Sequence, residues 1–218
     1  MTKTQLNFLL AASALAAILA SWLRLDAVFT LLKPLTTILI ILVPVLFSAK
    51  NTYWVVAATI IALGFCLLGD LFLLNEDFFV YGLSAFLVAH ALFIIIFFQL
   101  SDRRIYPPVL FVMMVIGGGI YLMLFPKLGE LAIPVAFYTG FIMAMCWRGV
   151  SLWLARRDKS GRYLCIAAIL FVFSDFIIAV NKFIGPFDLS NAVILTSYWS
   201  AIAIIANVVP TTKPWSKQ

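Results

Sequence analysis

Histidine occurs once in this 218-residue sequence, cysteine three times, and charged residues make up only 11% of it. Each scarcity closes off a class of protein. A catalytic zinc site takes three protein ligands, often imidazoles. One histidine, without a second deep cluster of carboxylates, argues against the membrane zinc hydrolases, including the ceramidase type. No metal and no cofactor is expected. Cys66, Cys146 and Cys165 all fall inside apolar stretches, so they form no disulfide framework and read as small buried hydrophobes. The net charge of +6 sits in the short connections and calls for no nucleic-acid partner. Neither a phosphate-cradling glycine loop nor a Gly-x-Ser-x-Gly nucleophile elbow is present. What the sequence does have is apolar residues: 65% of the chain with a mean hydropathy of +1.12, against roughly 45–50% for a soluble domain. This composition is that of an integral membrane protein.

Eight apolar segments can be counted, at approximately 5–23, 32–48, 52–74, 79–100, 107–125, 129–150, 162–184 and 190–209. Each is near the ~20 residues that cross a bilayer. The first is longer than the apolar core of a signal peptide and more spans follow it, so it is read as a retained span. The second is short and carries Pro34 and Pro44, which tilt or kink a helix. Residues 1–218 are thus expected to form one integral membrane domain, an all-α bundle of eight transmembrane helices without a soluble domain.

With eight spans both termini share one side. That side collects Lys3, Lys50, Arg103, Arg104, Arg148, Arg156, Arg157, Lys159, Arg162, Lys213 and Lys217. The other side has Arg24, Lys33, Lys127 and Lys182. Eleven against four places both termini in the cytoplasm by the positive-inside rule, as in a bacterial inner membrane or its equivalent.

This topology sorts the polar residues by depth. Asp70 lies ~7 Å below the outer end of span three, and Asp175 ~15 Å below the outer end of span seven. A carboxyl group inside a span is expensive and persists where it faces a bundle interior or a water-filled cavity. His90, Tyr138 and Tyr198 fall at comparable depth in spans four, six and eight, and Lys33, Asn181 and Lys182 near the outer surface. The inner half holds far less, which predicts a polar cavity in the outer, non-cytoplasmic half. Each residue also has an ordinary reading. The lysines can snorkel, His90 can be a packing histidine, the tyrosines can be packing or interface residues, and Glu76 and Asp77 an exposed outer loop. The segments around Asp70 and Asp175, Leu68-Gly69-Asp70-Leu71-Phe72 and Phe173-Ser174-Asp175-Phe176-Ile177, echo each other, as a duplication into two parallel halves of four spans would produce. Two membrane aspartates suggest an intramembrane aspartyl protease, but Leu67 stands where its Gly-x-Gly-Asp would require glycine.

An ordered set of segments resembles a known family. It comprises Lys33-Pro34-Leu35-Thr36-Thr37, Leu68-Gly69-Asp70-Leu71-Phe72-Leu73-Leu74, Gly82-Leu83-Ser84-Ala85-Phe86-Leu87-Val88-Ala89-His90, Phe171-Val172-Phe173-Ser174-Asp175 with Ala179-Val180-Asn181-Lys182-Phe183, and Ser197-Tyr198. In this set the chain resembles the YhhN-like membrane proteins, whose characterised members are lysoplasmalogenases. The likeness covers most of the chain. It departs where the family often reads Ala-Gln after the last-span tyrosine, since Ala201 is followed by Ile202.

The resemblance implies eight spans and hydrolysis of the vinyl-ether bond of a lysoplasmalogen or related lysophospholipid, drawn from the surrounding membrane lipids. The products are a fatty aldehyde and glycerophosphoethanolamine or glycerophosphocholine. Protonation of a vinyl ether at its β-carbon gives an oxocarbenium ion that water attacks. Glycosidases meet the same kind of cation with two carboxyl groups. On this reading Asp175 is the proton donor and Asp70 the base, or the reverse. Lys33 and Lys182 hold the phosphate, while His90, Asn181 and Tyr198, with Tyr138 at the same level, orient the carboxyls. The competing class is a proton-coupled transporter or lipid carrier in which the same aspartates relay protons.

Overall fold

The computed structural model describes residues 1–48, 53–102, 104–213 and 215. Lys50, Arg103 and Lys217 of the charge count, and Thr52 at the edge of span three, lie outside the described residues. Within them the chain is all helical, with no strand. The α-helices are α1 Lys3–Trp22, α2 Asp26–Leu46, α3 Tyr53–Phe72, α4 Phe79–Leu100, α5 Pro107–Leu128, α6 Ala132–Arg156, α7 Lys159–Phe183 and α8 Ser190–Val208. By length and composition, seven helical stretches among the described residues are able to cross a membrane. One of the seven is the 50-residue stretch Pro107–Arg156, in which α5 and α6 are parted only by the 3-10 turn Gly129–Leu131.

Local chemistry sets the ends. Thr2 and Gln5 form a reciprocal capping box on α1, satisfying two of the amides that a helix start leaves unpaired. Helix α2 begins at Asp26, well ahead of the apolar run expected from 32 onward. An acidic residue in the first turn complements the helix dipole, and Pro34 and Pro44 are both taken up inside the helix. Asp158 caps α7 by accepting from the Gly161 amide at 2.7 Å. Burial pushes the Asp158 carboxyl up, but that amide and the Arg156 guanidinium outweigh it and hold it below the ordinary carboxylate range. Arg157, at φ 51°, closes α6 in the left-handed region.

Neighbours in sequence pack as neighbours in space within two runs, α1 through α4 and α5 through α8, whereas α4 meets α6 rather than α5. The two ends of the chain meet where α8 packs on α1 and α2, and α4 packs on α6. Shifting every helix number by four turns the α2–α8 contact into α6–α4 and carries Asp70 of α3 onto Asp175 of α7. The echo in the sequence is therefore also an echo in the packing. Small residues let the helices close up: a Cβ at Gly149 of α6 would lie 2.7 Å from that of Ala168 on α7. Helix α5 is peripheral, burying only Gly117, Leu124 and Leu128.

Arg148, grouped by sequence with the cytoplasmic surface charges, is fully buried. Its guanidinium donates to the carbonyls of Arg104 (3.1 Å) and Asp102 (3.0 Å) and to Ser101 Oγ (2.6 Å), and it stacks 3.8 Å over the Phe98 ring. One side chain thus ties α6 to the α4–α5 connection, satisfying two carbonyls of that connection beyond the end of α4. A lysine carries charge but not the planar fork, so Arg148→Lys is expected to lower stability by about 2 kcal/mol. The check is the thermal midpoint in detergent, followed by labelling of the buried Cys66, Cys146 and Cys165 thiols. An unchanged midpoint refutes the tie.

Candidate active site

The polar residues of the bundle close on one another in two clusters. The first surrounds Asp70, in the last turn of α3 and 1% exposed. Thr37 of α2 donates to its Oδ2 at 2.6 Å, and Tyr198 of α8 donates to the same oxygen at 3.0 Å. Trp199 Nε1 donates to Thr37 Oγ1 at 3.3 Å, fixing the threonine in turn. Lys33 is one turn before Thr37 on the same face of α2. It is buried and close enough for its charge to act on Asp70.

The second cluster surrounds Asp175 of α7. Tyr138 of α6 donates to Asp175 Oδ2, and His90 Nε2 of α4 lies 3.8 Å from that oxygen. The imidazole is fully buried, edge-on to Tyr138 and Phe171 with ring centroids 5.3 and 4.7 Å away. Neither of its nitrogens finds a hydrogen-bond partner among the described residues. The clusters have one plan: each carboxyl takes a hydroxyl from the preceding helix and an aromatic neighbour from the other half of the chain. Thr37, Asp70 and Tyr198 correspond to Tyr138, Asp175 and His90 under the four-helix shift.

Aromatic rings lie between the clusters. Phe86 stands edge-on to Phe171 and Tyr198, with centroids 6.3 and 5.7 Å away, and Phe171 is 5.6 Å from Tyr198. Phe86 also covers Gly69, where a Cβ would come within 2.5 Å of its ring. On the Asp175 side a narrow apolar cleft opens between α4, α5, α6 and α7. Asp175, Tyr138 and Thr139 supply its polar lining, while Leu83, Ile120, Val135 and Phe86 are among its apolar walls. Asp70 is not in the lining. The two carboxyls thus do not share this cleft, as a single polar cavity in the outer half would have them do. In a low-dielectric interior, unpaired polar groups are costly, and here they are largely consumed pairwise.

Two expected residues lie apart from the carboxyls. Asn181 Nδ2 donates to Ser190 Oγ at 3.0 Å, and its Oδ1 is buried without a partner among the described residues. Lys182 pairs with the exposed Glu76 at 3.2 Å, above the Phe79 ring. Phe79 and Phe183, packed edge to face, line the cleft beneath that ion pair. Thr37, Trp199, Phe86 and Phe171 were not named as site residues. Thr37 had a signal, one turn from Lys33, and Phe86 sits one turn before His90. Phe171, an apolar residue in an apolar span, had none. Ile202, where a glutamine is common in the resembled family, is fully buried in the core.

These features define a multi-pass helical membrane protein with two buried carboxyl centres, one of them opening on an apolar cleft. The chain belongs to the YhhN family, whose sequence pattern matches residues 28–209. The membrane protein YhhN of Escherichia coli O6:H1 is 25% identical over 203 residues, covering 88% of this chain and 96% of that protein. Human lysoplasmalogenase TMEM86A is 34% identical over 155 residues, covering 67% of this chain and 62% of the relative. Human lysoplasmalogenase TMEM86B is 34% identical over 139 residues, covering 63% and 56%. The chain therefore spans somewhat less than two thirds of the length of these two human relatives. No solved structure matches it.

The contact at Gly69 is tight enough to test. Gly69→Ala is expected to cost about 1–3 kcal/mol through overpacking against Phe86, and to disturb Tyr198 behind that ring. Adding Phe86→Leu should recover part of the loss in the same detergent unfolding assay. A double variant no more stable than Gly69→Ala alone counts against the contact.

Proposed function

We propose that this protein is a lysoplasmalogenase-type hydrolase that cleaves the vinyl-ether bond of a lysoplasmalogen. The observation that carries the reading is Asp175, held by Tyr138 on the inner wall of an apolar cleft, in a chain related to named lysoplasmalogenases. The chemistry needs an acid beside an apolar chain. Asp175 delivers a proton to the β-carbon of the alkenyl group, using the π electrons to form the new C–H bond and leaving an oxocarbenium ion. Asp70 supplies the second carboxyl, steadying the cation and taking a proton from the attacking water. To reach that centre the Phe86 ring must turn aside. The hemiacetal then collapses: Asp70 returns its proton to the glycerol oxygen as the C–O bond breaks, Asp175 takes the hemiacetal hydroxyl proton, and the fatty aldehyde departs with both carboxyls restored. Tyr198 and Thr37 position Asp70, while Tyr138 and His90 position Asp175. Lys33, beside Asp70, and Lys182, at the rim of the cleft, are the cations available to a phosphate. Asn181, bonded to Ser190, braces the outer ends of α7 and α8.

In this reading α5 and α6 are two crossings, the bundle has eight, and both termini face the cytoplasm. A reporter fused after Gln218 is expected to read cytoplasmic, and a reading on the opposite side overturns the orientation.

Purified protein in detergent, with no membrane gradient, is expected to release aldehyde from lysoplasmalogen and to continue in EDTA. Asp70→Asn and Asp175→Asn should each lower that release by about a hundredfold or more while unfolding at the wild-type temperature. Near-normal turnover by either variant refutes the two-carboxyl mechanism. Absence of aldehyde from the wild type favours the proton-coupled carrier.

A further inference from the structure

The cleft that reaches Asp175 does not end in solid core. Thr139 and Met143 of α6 line it, and the same two residues line a second, more open groove between α5 and α6. Met143 is therefore part of a partition, with the Asp175 cleft on one side and the groove on the other. The facing residue of α5 is Gly117, the first of three consecutive glycines. A Cβ there would stand 2.7 Å from Met143 Cγ and 3.5 Å from Thr139 Cγ2, while Gly118 and Gly119 face open space. Methionine is unbranched, with three rotatable bonds, and repacks readily in an apolar setting.

The dimensions give this partition a use. On α7 the cleft lining runs from Phe183 at the rim to Val172. Asp175 is only three residues short of Val172, about 4.5 Å along the helix. A long aliphatic chain whose first carbons meet Asp175 has no room to continue there. Past Met143, the groove follows α5 from Gly117 to Leu110, about 10 Å further, and its other walls include Met113, Met114 and Ala144. Helix α5 itself is thinly buried, so the groove faces the bilayer.

We propose that Met143 is a gate for the substrate's aliphatic chain, which passes between Met143 and Gly117 and lies in the α5–α6 groove. This rests on the hydrolase reading of the cleft and adds to it the residues that set chain-length preference. Gly117 leaves the space in which Met143 swings. A methyl group at that position wedges Met143 in the passage, and shortening Met143 clears it.

Two 1-alkenyl lysophospholipids test this in purified protein, one with a chain too short to reach Met143 from Asp175 and one long enough to pass it. Gly117→Ala should lower kcat/KM for the long chain by about tenfold, the scale of one or two misplaced methylenes in an apolar pocket, and leave the short chain unchanged. The double variant Gly117→Ala/Met143→Ala should restore the long chain. Equal losses for both chains, or no rescue, overturn the gate. A non-hydrolysable ether lysolipid with a diazirine at its chain end gives a readout without turnover. In the wild type it should label the Leu110–Met114 stretch, and labelling confined to the Val172 end of the cleft overturns the proposal. Absence of aldehyde from both chains in the wild type sinks the hydrolase reading instead, and the label then decides the gate by itself.

Discussion

A carboxyl group deep in an apolar bundle must be met by donors, and this fold is arranged around meeting two of them. Tyr198 reaches Asp70 from the far end of the sequence, and Tyr138 reaches Asp175 from the neighbouring helix. Each bond requires specific helices to lie side by side. Asp70 needs α2, α3 and α8 together, and Asp175 needs α4, α6 and α7. These two triads account for the closing contacts of the bundle, α2 with α8 and α4 with α6. The low dielectric that makes an unpaired polar group costly also strengthens each bond that is made. The polar interior thus specifies the packing while the apolar residues supply most of its area.

The two clusters share a plan but not an environment. Asp70 has two hydroxyl donors on one oxygen, a buried lysine nearby and no opening to the cleft. Asp175 has one tyrosine, a histidine without hydrogen-bond partners among the described residues, and an apolar cleft against it. A duplicated framework with unequal surroundings is a ready route to two carboxyls with different tasks. The proposed hydrolysis asks for that division between a proton donor beside the alkenyl chain and a carboxyl that answers the cation. The rings of Phe86 and Phe171 keep the two apart in the structure, so their cooperation depends on aromatic side chains turning.

Much of this was legible in advance where a residue type violates its surroundings. An aspartate, a lone histidine or a lysine in an apolar run is conspicuous, and depth along a helix follows from 1.5 Å per residue. Arg148 shows the limit of that logic. Its position near a span end reads as an interfacial charge, yet it is buried in a clamp that only the α4–α5 connection makes possible. Lys182 and Asn181 show the same limit from the other side. Helical spacing places Lys182 on the face of Asp175 and Asn181 on the adjacent stripe, but Glu76 and Ser190, brought in by other elements, take up their donors. Phe171 was invisible because nothing distinguishes a site-wall phenylalanine from any other in such a span.

By itself, then, the sequence determined that the chain is helical and membrane-embedded, that it carries two buried carboxyls, and that these sit in related segments. Those properties follow from hydropathy, helical period and the rarity of charge, which are local. Which tyrosine serves which carboxyl, that the clusters are separated by aromatic rings, and that Asp175 rather than Asp70 lines the apolar cleft were decided by the tertiary structure. The physical reason is that a hydrogen bond is settled within about 3 Å. Helical periodicity states which face a residue occupies but not which helix will lie against it.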